Sequence, residues 1–135
     1  GFILMASEYV GATRSIHMGA VEAPPIDTFM GHSVGHWEGD TLVIESNTFN
    51  DQTWFDRAGN FHSEALQVVE RITPISRDAL RYEATIEDSK VFTRPWTISL
   101  PLYRRLEPDA EILEFNCVEF VEETLWGHLK KKTSE

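Results

Sequence analysis

Residues 79–87, ALRYEATIE, alternate without a fault: Leu80, Tyr82, Ala84 and Ile86 fall on one side, Arg81, Glu83, Thr85 and Glu87 on the other. A repeat of two is that of an extended strand, because helical neighbours recur about every 3.6 residues. The same alternation runs through residues 2–10, 13–18, 33–38, 41–47, 61–73, 92–102 and 112–121. Turn signals separate these runs at short intervals, as in antiparallel β domains. Gly11-Ala12 and Gly39-Asp40 suit two-residue hairpin loops. The second of them aligns Trp37 with Leu42 and Gly35 with Ile44 on a face expected to be core. The expectation is a single domain over residues 1–135: an all-β antiparallel barrel or strongly curved sandwich of about eight strands.

Two segments stand outside the alternation. Pro24-Pro25, within GAVEAPPIDTFMG, cannot sit inside a sheet and marks an extended loop. Residues 120–132 space Val121, Leu125 and Leu129 four apart, with acids early and lysines late, which predicts a short C-terminal helix.

Composition restricts the partners. A net charge of −10 and a pI near 4.9 oppose the counterion release that nucleic-acid binding needs. No apolar run approaches the roughly 20 residues of a membrane-spanning helix. The single cysteine, Cys117, excludes an internal disulfide and reads as a small buried side chain. The opening GFILMASEYV has no secretion-leader pattern.

Charge on an apolar face is the signal for a site. On the 61–73 run, His62, Glu64 and Glu70 share the side of Leu66, Val68 and Ile72. Pairing this run with 79–88 so that apolar faces meet sets Ile72 opposite Leu80, Glu70 opposite Tyr82, Val68 opposite Ala84 and Leu66 opposite Ile86. Glu64 then lies beside Asp88, with His62 next along. Two close carboxylates split their titrations and leave one protonated near neutrality, as a general acid requires. His62, Glu64 and Asp88 are therefore the candidate catalytic residues.

Arg94 falls among the apolar side chains of the next strand, close enough in the sequence pattern to offer a counter-charge. The aperiodic 47–61 loop supplies Asn50, Asp51 and Trp54 at the entrance. With Glu70, Tyr82, Arg94 and Trp96 these form the candidate ligand-binding set. His32 and His36, four apart, and the His62-Ser63-Glu64 step are too loosely spaced on strands to specify a metal. No metal or cofactor is expected. Three functions fit: a small-molecule binder for a polar, aromatic or saccharide ligand; a cofactor-free acid/base enzyme; or an assembly module whose inward charges are ion pairs to Arg71 and Arg94 and whose strand edges pair in a homodimer.

The ordered series GHSVGHWEGDTLVIE, FNDQTW, HSEALQVVER, TIEDS, TRPW and EFNCVE resembles a family of uncharacterised bacterial proteins, many of them secreted and with a longer N-terminal part. Matching positions are Trp37, Glu38, Gly39, Asp40, Asn50, Asp51, Trp54, His62, Glu64, Glu70, Arg71, Asp88, Pro95, Trp96, Cys117 and Glu119. The chain departs from the pattern at His36, Asn60 and Ser89, and has Met18-Gly19-Ala20 where the family often has Asp-Gly-Arg. The resemblance implies a shared β-rich domain and a secreted or periplasmic setting, and it supplies no reaction.

Overall fold

Seven strands make up most of the regular structure of the described residues: β1 (Phe2–Ala6), β2 (Thr13–Met18), β3 (His32–Glu38), β4 (Thr41–Asn47), β5 (Gln67–Ser76), β6 (Ala79–Glu87) and β7 (Trp96–Tyr103). They are taken from a computed structural model that describes residues 1–9, 11–56, 58–113, 121, 125 and 127–129. The chain divides into two compact units, Gly1–Met5 with Arg14–Ala110 and Ala6–Thr13 with Glu111–Glu135. The strands lie almost wholly in the first unit. They form one sheet in the order β1-β2-β3-β4-β5-β6-β7, curled into a half-barrel instead of a closed barrel or two packed layers.

The expected eighth strand, 112–121, and the helix over 120–132 lie mostly outside the described residues. Ile112 and Leu113 are exposed and belong to no strand, and Gly127–Leu129 form a short 3-10 turn. Cys117 and Glu119 also lie outside the described residues.

The β3–β4 hairpin turns at Gly39, whose φ of 60° suits glycine, and pairs Trp37 with Leu42 and Gly35 with Ile44, the expected register. Trp37 is nevertheless exposed, because β2 ends opposite Gly35 and nothing in that strand reaches the last residues of β3. The β2–β3 pair is parallel, against the antiparallel expectation. Parallel neighbours need a long crossover, and the proline-bearing segment between Met18 and His32 provides it.

The β5–β6 hairpin keeps the expected faces but slips by two residues: Ile72 faces Tyr82, Glu70 faces Ala84 and Val68 faces Ile86. The strands run on to Ser76 and Ala79, so that only Arg77-Asp78 remains as the loop. A bulge between Pro74 and Ser76 leaves Ile75 unopposed and returns the apolar side chains to a common face. Strand β7, at the edge of the sheet, carries Pro101, tolerated there because an edge strand has an unpaired side for a residue without N–H.

The inner face holds the core. Ile16, Leu42 and Ile44 pack with Ile3, Met5, Met18 and Ile72, while Phe49, Leu66, Ala84 and Ile86 pack with Val68, Tyr82, Phe92 and Trp96. Small residues line the middle of the curl: Gly35, and Ser33 hydrogen-bonded through its hydroxyl to Ser46 at 2.8 Å. A Cβ at Gly35 would lie 2.8 Å from Ile16 Cγ2 and 3.0 Å from Met18 Sδ. Gly35→Ala is expected to cost about 1–3 kcal/mol of stability by overpacking, read as a lower urea midpoint; an unchanged midpoint would mean that this contact is not tight.

Candidate functional site

Arg14, Glu70 and Tyr82 form the polar centre of the inner face. Alternation on β2 puts Arg14 in phase with Ile16 and Met18, and on β5 Glu70 is in phase with Val68 and Ile72. The guanidinium reaches across the curl from β2 to β5, donating to Glu70 Oε2 at 2.6 Å and Oε1 at 3.1 Å. The Tyr82 hydroxyl donates to Glu70 Oε1 at 2.8 Å, and an Arg14 N–H lies 3.4 Å from Met5 Sδ. Both charged side chains are largely removed from water, at 13% exposure for Arg14 and 6% for Glu70. Burial, then the neighbouring Glu70 charge, holds the Tyr82 hydroxyl above the usual phenol range, so it stays a hydrogen-bond donor.

Around this cluster the face is apolar and only partly covered. Ala84, opposite Glu70, is small, and beyond it Ile98 on β7 faces Ala84 as Leu100 faces Tyr82 and Leu102 faces Leu80. Ile98, Leu100 and Leu102 are each 40% exposed, against 0% for Ile44 on the β4 side. The half-barrel thus has a filled side at β2–β5 and an accessible apolar side at β6–β7.

The second polar corner lies past the far ends of β5 and β6. Asp88 is buried, and its carboxylate accepts the Ser63 N–H at 2.6 Å, the Ser63 hydroxyl at 2.8 Å and the Lys90 N–H at 3.0 Å. Burial alone would raise its pKa, but the hydrogen bonds from Ser63 and the Lys90 and Val91 amides outweigh it and hold the carboxyl below the usual range. Asp88 is therefore an ionised brace between two turns. His62, also buried, has Nδ1 3.1 Å from the Ser63 carbonyl and Nε2 2.6 Å from Thr53 Oγ1. That pattern fits a proton on Nδ1 and a Thr53 hydroxyl donating to Nε2. Phe49 and Phe55 pack on the imidazole, and Phe55 also meets Phe92 and Trp96.

The carboxylate pair expected between Glu64 and Asp88 is not formed. The strand begins at Gln67, and the preceding residues turn, with the Leu66 N–H donating to the Ser63 carbonyl at 3.2 Å. Glu64 consequently leaves the inner face and pairs with Lys90 in solvent. That hydrogen bond holds its carboxyl below the usual range. Arg94 is exposed and forms no ion pair with Glu64, Glu70 or Asp88; Arg71 binds Glu38 at 2.7 Å.

In the 47–61 loop, Asn50 is fastened by its N–H to Thr28 O at 2.9 Å and accepts the Gln52 N–H, Asp51 is exposed, and Trp54 is 70% exposed. Trp96 is half-buried on the inner face, opposite Ile86, and among the described residues its indole N–H has no hydrogen-bond partner. His32 stacks on His17 while His36 lies 3.3 Å from Glu38, so the two histidines diverge. Among the described residues no three His, Cys, Asp or Glu side chains come together.

Of the expected set, the structure joins Glu70 with Tyr82 and gathers His62, Asp88 and Trp96 around another corner. Arg14 is absent from the expected set: its phase with Ile16 is readable in the sequence, but its partner, 56 positions away, is not. No protein-family model, curated protein or solved structure matches the chain.

Proposed function

We propose that the half-barrel binds a small molecule with an apolar or aromatic body and a polar group, seated on the inner face between β5 and β7. The observation that supports this reading is a largely buried, mutually hydrogen-bonded Arg14–Glu70–Tyr82 cluster bordered by apolar side chains that remain 40% exposed. Binding sites characteristically combine an apolar wall with few, fixed polar groups. The Tyr82 oxygen donates to Glu70 and keeps acceptor capacity for a ligand hydroxyl or amide. A phenolic compound or a saccharide face suits such a wall. Binding is favoured over acid/base chemistry because Glu64 and Asp88 are separately held in the ionised form, so neither stores a proton for a general acid.

The test is a melting-temperature screen of phenols, aromatic acids and simple saccharides, followed by titration of any stabilising compound. Tyr82→Phe keeps the ion pair and is expected to weaken binding roughly tenfold, the value of one net hydrogen bond. Leu100→Arg, which puts a charge in the apolar wall, is expected to abolish it. A screen in which nothing raises the melting temperature, or a ligand indifferent to both substitutions, would remove this reading.

A further inference from the structure

At the opposite end of β6 from Asp88, the Arg77-Asp78 turn and the chain leaving β7 enclose a concavity of about 350 Å³ lined by Arg77, Asp78, Arg104, Arg105, Leu106 and Glu107. We infer that this is a second binding site, for a small organic oxyanion: a phosphate or carboxylate carried on an apolar body. Three guanidinium groups face two carboxylates there, so the lining is net positive in a chain whose net charge is −10.

The state of the guanidinium groups sets this cluster apart from Arg14 and Arg71. Arg14 and Arg71 close onto their carboxylates at 2.6 and 2.7 Å. Arg104 Nη1 lies 3.8 Å from Asp78 and Arg105 Nε lies 3.5 Å from Glu107. Both separations exceed the roughly 2.7–3.2 Å of an N–H···O hydrogen bond. Arg77 makes no ion pair among the described residues. Apart from these two long ion pairs, the three guanidinium groups make no side-chain hydrogen bond among the described residues, and the planar fork of each matches a carboxylate or phosphate edge.

The backbone fixes the placement, since the Arg104 N–H donates to Asp78 O at 2.9 Å and ties the end of β7 to the turn. The volume exceeds a bare phosphate and falls at the small end of ligand sites. Leu106 and the adjoining Tyr103, 70% and 74% exposed, offer the apolar contact.

The experiment titrates the protein with phenyl phosphate, benzoate, inorganic phosphate and phenol, following the Arg side-chain and 77–107 amide resonances. Phenyl phosphate or benzoate is expected to shift the signals of Arg77, Arg104 and Arg105 and to bind more tightly than inorganic phosphate; which of the two binds better identifies the oxyanion. Arg77→Gln with Arg105→Gln is expected to weaken binding at least about tenfold, the value of one charge-assisted hydrogen bond. Lys90→Gln, which removes the same charge at the other end of β6, is expected to leave it unchanged. Equal weakening by Lys90→Gln would reveal general charge attraction, and phenol binding as well as phenyl phosphate would reveal apolar contact alone. Either result, or no shift with any probe, overturns the inference.

Discussion

Glu70→Ala is expected to lower the unfolding free energy by about 3–5 kcal/mol, because it leaves the Arg14 guanidinium buried without its counter-charge. The carboxylate accepts from Arg14 at both oxygens and from Tyr82, so removal strands three donors on the inner face. The pair itself need not contribute that much. Desolvating two charges offsets most of their attraction, and an apolar pair of similar volume often replaces a buried bridge without loss. The informative measurement is thus a double-mutant cycle. Arg14→Met with Glu70→Leu should recover most of the stability lost in Glu70→Ala, as judged by urea unfolding. If the single substitution costs under about 1 kcal/mol, the level of an exposed surface pair, water reaches the cluster and Arg14 is not left buried without a counter-charge.

Asp88→Ala is expected to cost about 2–4 kcal/mol, since the Ser63 and Lys90 amides lose an ionised acceptor in a place shielded from water. The sign of its pH dependence follows from the depressed pKa. A carboxyl that titrates lower in the folded than in the unfolded chain contributes fully above the unfolded value of about 3.9, and its contribution disappears as pH falls through the folded value. The gap in stability between the wild-type protein and Asp88→Asn should therefore stay constant from neutral pH down to about pH 5 and close on further acidification. A gap that does not change with pH would show that the Asp88 charge is irrelevant and only its shape matters.

How much of this was legible in the sequence depended on whether a property was local. Alternation on 79–87 identified β6 and its inner residues, and Gly39-Asp40 gave the β3–β4 register to the residue. What failed depended on counting across a turn or between distant segments. Extending the strand pattern back to Phe61 put Glu64 on the inner face; the Ser63 turn interrupts the phase before Gln67, and Glu64 goes to Lys90. The parallel β2–β3 pair was hidden because nothing in the strands themselves records direction. Of the charges read onto the apolar faces, Glu70 is buried within β5, His62 and Asp88 are buried beyond the ends of β5 and β6, and Glu64 is exposed. The partners of the three buried groups, Arg14, Ser63 and Thr53, are polar groups whose approach is set by the curl of the sheet and by loop geometry, for which the sequence carries no periodic signal.

The unopposed Ile75 also bears on how chain length can vary in this protein. A strand has two phases, and one extra residue without a bulge would send Leu80, Tyr82, Ala84 and Ile86 to the outside and bring Arg81 and Glu83 in. Ile75 acts as the spare count that reconciles the two-residue turn with the inward phase. Insertions and deletions at this hairpin are consequently confined to even steps, or to odd steps taken together with the bulge. Lengthening the crossover between Met18 and His32 or the loop between Asn47 and Gln67 carries no such parity rule, so divergence in length has its freest outlet there.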